Sequence, residues 1–295
     1  MTQRRLGVLA LVVMLLADAV LLAWVFGLLP GSGADAAVPE PAAAPTATSA
    51  SPSVSPSTTS KPAAPAARYV ATSVGDTLWR ASVARCTGDA AVVERSQDGG
   101  ASWERTRYDG QVVYRLRLTE PSVGFAVGAD RGCPETVVKS TGDGGQTWQE
   151  TSAGQTWAPL RDGNVLVPGG EEVDACGSAR AVGLAPVDET SAWAACSDGT
   201  LRRTTDTGAS WEGVGRAKGV TSLAVSGERL LVGSVVTGCD GLSVASGTTS
   251  QADLEDATCV SGARTAAVVL GEQGGWLVGT SSWSSADLSS WEPVA

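Results

Sequence analysis

From Arg68 onward, apolar positions come in short runs separated by Gly, Asp and Ser. Val112-Val113-Tyr114-Arg115-Leu116-Arg117-Leu118, Val123-Gly124-Phe125-Ala126-Val127-Gly128, Leu230-Leu231-Val232-Gly233 and Trp276-Leu277-Val278-Gly279 are examples. No helical periodicity is sustained over ten residues, so the pattern predicts an all-β domain over 68–295. The segment before it differs. Arg4 and Arg5 lie in residues 1–5, and a near-continuous apolar run follows from Leu6 to Leu29. The run is long enough to span a bilayer as a helix, and the positive charge ahead of it favours an inside N-terminus. Residues 6–29 therefore read as a transmembrane signal anchor. Cleavage at Ala34-Asp35-Ala36 is the alternative, although the run exceeds a typical signal core. Asp18 falls within the run and is costly there unless a partner helix receives it. Residues 30–67 are rich in Pro, Ala, Ser and Thr and predict a disordered stalk, reaching on the order of 100 Å at about 3.1 Å per residue.

Between the strand-like runs a phrase returns. It reads Ser96-Gln97-Asp98-Gly99-Gly100-Ala101-Ser102-Trp103, then Thr141-Gly142-Asp143-Gly144-Gly145-Gln146-Thr147-Trp148, then Thr204-Thr205-Asp206-Thr207-Gly208-Ala209-Ser210-Trp211. A worn copy, Ser285-Ala286-Asp287-Leu288-Ser289-Ser290-Trp291, is one residue shorter between Asp and Trp. Chemistry assigns each part a turn-building role. Gly after Asp supplies positive φ. The carboxylate accepts N–H groups about two residues on. The Trp covers a blade edge. Calcium binding is disfavoured, because one Asp per turn is far short of the six to eight oxygens the ion takes.

The phrase resembles the Asp-box, or BNR repeat, of β-propeller proteins such as sialidases, sortilin-type receptors and photosystem II assembly factors. The resemblance covers about 68–295 and implies a propeller of four-stranded blades. Asp98, Gly100, Trp103, Asp143, Gly145, Trp148, Asp206, Gly208, Trp211, Asp287 and Trp291 would then be structural box residues. The Trp-to-Trp steps are 45, 63 and 80 residues. With blades of about 40–45 residues, they predict five blades, at about 68–110, 111–152, 176–217, 218–258 and 259–295. Residues 153–175 are either a hairpin insertion or a degenerate sixth blade. The Ala- and Gly-rich composition and the anchored, stalked layout resemble actinobacterial membrane proteins with such repeats.

The net charge of −10 and the scarcity of lysine (Lys61, Lys139, Lys218) argue against nucleic-acid binding, which needs cations for phosphates. The chain has no histidine. That removes Ser-His-Asp and Cys-His pairs and histidine-based zinc sites. No catalytic, cofactor-binding or metal-ligating residue is assigned.

Six cysteines remain, Cys86, Cys133, Cys176, Cys196, Cys239 and Cys259, an even number that reads as three disulfides in an exported domain. Aligned on the blades, Cys86, Cys133, Cys196 and Cys239 fall at the end of a second strand. Cys176 and Cys259 fall ahead of a first strand. In a propeller those positions share one face. The predicted bridges are Cys86–Cys133, Cys176–Cys196 and Cys239–Cys259.

These readings predict a single-pass membrane protein with an extracellular propeller that binds a cell-envelope protein without catalysis. A glycan is the alternative partner, with Trp157 and Trp283, outside the boxes, as candidate stacking residues; packing between blades is the other reading of both, and the favoured one. Sialidase-like hydrolysis is the weakest alternative. That family uses three arginines, a Tyr–Glu pair and an acidic Asp. Here the tyrosines are only Tyr69, Tyr108 and Tyr114, and Tyr108 suits packing.

Overall fold

The computed structural model describes residues 69–152, 154, 156–250 and 253–295. The N-terminal segment 1–5, the anchor 6–29 and the stalk 30–67 lie outside the described residues. Among the described residues no helix is long and apolar enough to cross a membrane.

The described residues fold into six antiparallel sheets. Blade 1 holds β1 (Tyr69–Val74), β2 (Thr77–Ser82), β3 (Val93–Ser96) and β4 (Glu104–Arg105). Blade 2 holds β5 (Val112–Glu120), β6 (Val123–Ala129), β7 (Thr136–Thr141) and β8 (Gln149–Thr151). Blade 3 has only β9 (Ala158–Pro159), β10 (Val165–Leu166) and β11 (Glu172–Val173). Blade 4 comprises β12 (Ala181–Pro186), β13 (Ala192–Cys196), β14 (Thr200–Thr204) and β15 (Glu212–Arg216). Blade 5 comprises β16 (Val220–Ser226), β17 (Arg229–Ser234), β18 (Gly241–Thr248) and β19 (Thr258–Ser261). Blade 6 comprises β20 (Ala267–Leu270), β21 (Gly275–Val278), β22 (Ser282–Ser285) and β23 (Glu292–Pro293).

The inner strands close a ring. β1 contacts β5, β5 contacts β9, β9 contacts β12, β12 contacts β16, β16 contacts β20, and β20 returns to β1. The protein is therefore a six-bladed propeller, and the expected count of five is corrected to six. The sixth blade is the segment around 158–173. Its two-residue strands are too short to show an alternating pattern, and no box marks it.

Blade 3 departs from the expected four strands, and parity explains how the ring accommodates it. A four-stranded antiparallel blade returns the chain to the face where it began. A three-stranded blade does not. Trp157, just ahead of β9, donates its indole N–H to the Asp188 carbonyl (2.9 Å), which lies in the β12–β13 turn on the same face as the boxes. Beyond β9 the loop lies on the opposite face. There Ala181 N–H donates to the Gly163 carbonyl at 3.0 Å. The inner strand β9 thus runs opposite to the other five. The chain crosses to the box face after β8, where Gly169 N–H donates to the Gly154 carbonyl at 2.9 Å.

The core lies between blades. Trp79, Ala81 and Val93 of blade 1 meet Val113, Leu116 and Leu118 of blade 2. Trp157, Val165 and Val167 meet Ala192, Ala194 and Cys196 across the blade 3–4 seam. Leu231 and Leu242 meet Val268 and Leu277 between blades 5 and 6. The ring closes without a covalent link where Leu78 packs on Val269 and Val278. Arg80 reinforces that seam. It lies under the Trp103 ring at 4.0 Å, pairs with Glu94 at 2.8 Å and donates to the Gly279 carbonyl at 2.5 Å. Burial of such apolar surface is the main drive for folding.

Candidate functional site

Two faces of the ring carry the boxes and the disulfides. The turns between third and fourth strands hold the boxes in blades 1, 2, 4 and 6. The loops between second and third strands, with the links between blades, form the opposite face and carry the cysteines.

Each full box is one closed set of hydrogen bonds. The Asp98 carboxylate accepts the Ser102 N–H (2.9 Å), the Ser102 hydroxyl (2.5 Å) and the Ser96 hydroxyl (2.6 Å). Ser96 Oγ in turn accepts the Gly100 N–H at 2.8 Å. Asp143 is held by Thr147 and Thr141 in the same way, and Asp206 by Ser210 and Thr204. The N–H that reaches the carboxylate lies four residues on, rather than about two. Two successive left-handed residues make the turn wide enough for that. The hydroxyls of Ser102, Thr147 and Ser210 are also partners of the carboxylate. Those of Ser96, Thr141 and Thr204 are buried and bridge the carboxylate to the turn. Their recurrence two residues before Asp was the available signal.

Only in the worn copy does the carboxylate reach residues two and three positions on: Asp287 accepts from Ser289 (2.9 Å) and Ser290 (2.8 Å). The backbone explains the difference. The residue after Asp is left-handed in all four copies: Gly99 (φ 68°), Gly144 (72°), Thr207 (58°) and Leu288 (64°). The next position is also left-handed in the full boxes, at Gly100, Gly145 and Gly208, but not at Ser289. Those second glycines also seat each blade against what precedes it. A Cβ on Gly100 would lie 3.1 Å from Ser282 Cβ, one on Gly145 2.6 Å from Thr106 Cβ, and one on Gly208 2.8 Å from Val167 Cγ1.

The box tryptophans are half-buried wedges at the same seams. Trp148 presents its edge to Trp79 and Tyr108, with ring centres 5.7 and 5.1 Å apart, and Trp211 meets Trp157 at 6.2 Å. Trp103 packs at the ring closure and Trp291 between blades 5 and 6. The Trp103 indole N–H donates to the Gly100 carbonyl at 3.1 Å; those of Trp148, Trp211 and Trp291 find no partner among the described residues.

The box carboxylates are solvent-facing and strongly acidic. The Thr147 N–H and hydroxyl lower Asp143 to about 2, and the Ser210 hydroxyl and N–H lower Asp206 to about 2. Asp98, held chiefly by Ser102, and Asp287, held by the Ser290 and Ser289 N–H groups, lie well below the usual carboxylate range. Hydrogen bonds to the charged form have this effect. A general acid needs the opposite shift. Among the described residues no group of three or more carboxylates or thiols is gathered as a metal site.

On the other face, disulfides join Cys86 to Cys133, Cys176 to Cys196 and Cys239 to Cys259. The first ties the β2–β3 loop of blade 1 to the β6–β7 loop of blade 2. The second ties the link after β11 to the end of β13. The third ties the β17–β18 loop to β19. Cys259 thus lies inside the fourth strand of blade 5, paired across from Ser243, rather than ahead of a first strand. Beside it is a shallow open depression of about 560 Å3 between Val235–Asp240 and Arg264.

The candidate sugar-stacking residues do not form a surface. Trp157 is 2% exposed, and half-buried Trp283 packs on the blade 5–6 core. Tyr108 is half-buried against Trp148, its hydroxyl directed to the Val112 carbonyl (3.4 Å) and its phenol pushed up by burial. Tyr69 lies beside Arg80, and Tyr114 is half-buried.

No known protein family matches the sequence, and no curated protein does. Solved structures do. YCF48 bound to D1 peptide is 16% identical, with 78% of this chain and 67% of that one covered and a TM-score of 0.29. The GH74 xyloglucanase from Xanthomonas campestris is 16% identical, covering 76% and 38%, with a TM-score of 0.32. The SapL1 lectin in complex with alpha methyl fucoside is 9% identical, covering 77% and 95%, with a TM-score of 0.48. The chain thus spans well under half of the xyloglucanase. These likenesses fit a β-propeller and go no further. They include an enzyme and binding proteins alike, so they lend no support to a chain without chemistry.

Proposed function

We propose that the protein is a membrane-anchored, extracytoplasmic propeller that binds a cell-envelope protein without catalysis, through its cysteine-bearing face. The observation that carries this reading is the gathering of three disulfides on the one face built from non-repeating loops. Segments 83–92, 130–135, 174–180 and 235–240 share no repeated sequence. Cross-links that hold such loops lower the ordering cost of binding. The box face is a weaker candidate, because its carboxylates already accept internal hydrogen bonds. The bridges fit an oxidising compartment. That agrees with residues 6–29 as a single-pass anchor and 30–67 as a stalk.

Photo-crosslinkers at Arg131 on the cysteine face and at Glu189 on the box face test the proposal in intact cells. One envelope protein captured from position 131 and not from 189 is the expected result. Capture from 189 alone, or retention of polysaccharide only, would overturn it. Turnover of a glycoside by the purified protein would remove the non-catalytic part.

A further inference from the structure

The three disulfides have different surroundings. Cys176 and Cys196 are both buried, at 5% and 0% exposure. Cys259 is exposed, but its partner Cys239 is 7% exposed. Attack on Cys259 would therefore expel a thiolate into a buried position, which raises the thiol pKa and makes a poor leaving group. Cys86 and Cys133 are both half-exposed. They sit on two loops rather than on strands, and Arg161, from the β9–β10 loop of blade 3, directs its guanidinium Nη1 to Cys86 Sγ at 3.5 Å. Cys133 is itself left-handed, at φ 51°, a conformation that costs a non-glycine residue energy in the closed loop.

We propose that Cys86–Cys133 is a thiol–disulfide exchange site for a protein dithiol of the thioredoxin type. The reductant's thiolate attacks Cys133 Sγ. The Cys86–Cys133 bond breaks, and its electron pair passes to Cys86 Sγ, where the Arg161 guanidinium stabilises the thiolate. The reductant's second thiol then attacks the mixed disulfide and releases Cys133. The partner leaves as a disulfide, and the chain gains two electrons and two protons. Reduction uncouples the loop of blade 1 from that of blade 2. The other two bridges and the blade seams stay intact. The reversed polarity of β9 makes this possible, because it places Arg161 on the cysteine face.

The test uses purified full-length oxidised protein and reduced thioredoxin, with alkylation and peptide mapping over time under native conditions. Cys86 and Cys133 are expected to be labelled first, with the other four cysteines labelled only on unfolding. A thioredoxin lacking its second cysteine is expected to be trapped on Cys133. Arg161→Gln slows reduction about threefold, the effect of about one unit in the leaving thiol's pKa, while Arg161→Lys keeps most of the rate. Simultaneous reduction of all three bridges, trapping on Cys259, or an unchanged rate in Arg161→Gln would overturn the proposal. Both variants change an exposed side chain, so far-ultraviolet circular dichroism should show them folded as the parent.

Discussion

The box face and the cysteine face fix the same ring by different means. On the box face, one local unit of hydrogen bonds, closed within seven residues, recurs in three full copies and one shorter one. On the cysteine face, three unique covalent links join positions 20 or 47 residues apart. A local unit constrains its own sequence tightly, because each hydroxyl, carboxylate and glycine has a partner. A disulfide constrains only its two cysteines and leaves the loops around it free to vary. The face with freedom of sequence is therefore the one suited to acquiring a partner, and the other is suited to repetition.

The comparison is broken most severely by removing a buried bridge. Replacing Cys176 and Cys196 together with Ala is expected to lower stability by about 3 kcal/mol through lost loop constraint. Urea unfolding of the oxidised protein measures it. The loss should exceed that from any single box substitution, and equal losses would show that both faces contribute alike. Next is Thr204→Val, which keeps the side-chain shape. Thr204 is 2% exposed, donates to Asp206 at 2.7 Å and accepts the Gly208 N–H at 3.0 Å. Without the hydroxyl, a buried N–H has no partner, at a cost of about 1–3 kcal/mol. The same unfolding assay reads this loss. The parent's carboxylate geometry at the other three boxes should be untouched.

Acid sharpens the contrast, because disulfides do not titrate. The folded pKa values of Asp143 and Asp206 lie at about 2, against 3.8 ordinarily. A depressed carboxylate contributes stability that is complete above its unfolded value and is lost as pH falls through the folded one. The denaturant midpoint should therefore hold down to about pH 4 and fall between about 4 and 2. Asp143→Asn, measured over the same range, should give a shallower fall. A parent midpoint insensitive to pH over that window would mean that the box hydrogen bonds are absent in solution.

How much of this was legible depends on range. The boxes were visible because every participant lies within a short window, and Asp98, Gly100 and Trp103 recur as residue types. The role of Ser96 was less visible, because a serine before a turn has many uses. The wedge packing of Trp148 on Trp79 and Tyr108 was hidden, since it joins two blades. Blade 3 was hidden for a different reason. Val165-Leu166 is too short to show period two, and its strand number matters only through the parity of the whole ring. Trp157 reads from the sequence as a packing residue or a stacking one, and its cover, blade 4, lies beyond that irregular segment.

The smallest expected effect tests the box where its sequence departs from glycine. Thr207 occupies the left-handed position filled by Gly99 and Gly144, at φ 58°, and its N–H donates to the Thr190 carbonyl at 2.8 Å. Thr207→Gly keeps that bond and relieves the backbone, while the unfolded chain gains freedom. The two terms nearly cancel, leaving a net gain of about 0.5 kcal/mol. Leu288 has the same geometry, at φ 64°, but its side chain is 8% exposed and packs on the blade 5–6 core. There the apolar burial outweighs the relief, so Leu288→Gly destabilises by about 1 kcal/mol. Paired thermal unfolding of the two variants should show midpoints moving in opposite directions. Movement in the same direction would mean that the backbone term alone sets both, and that the worn box is held by its turn rather than by the seam it fills.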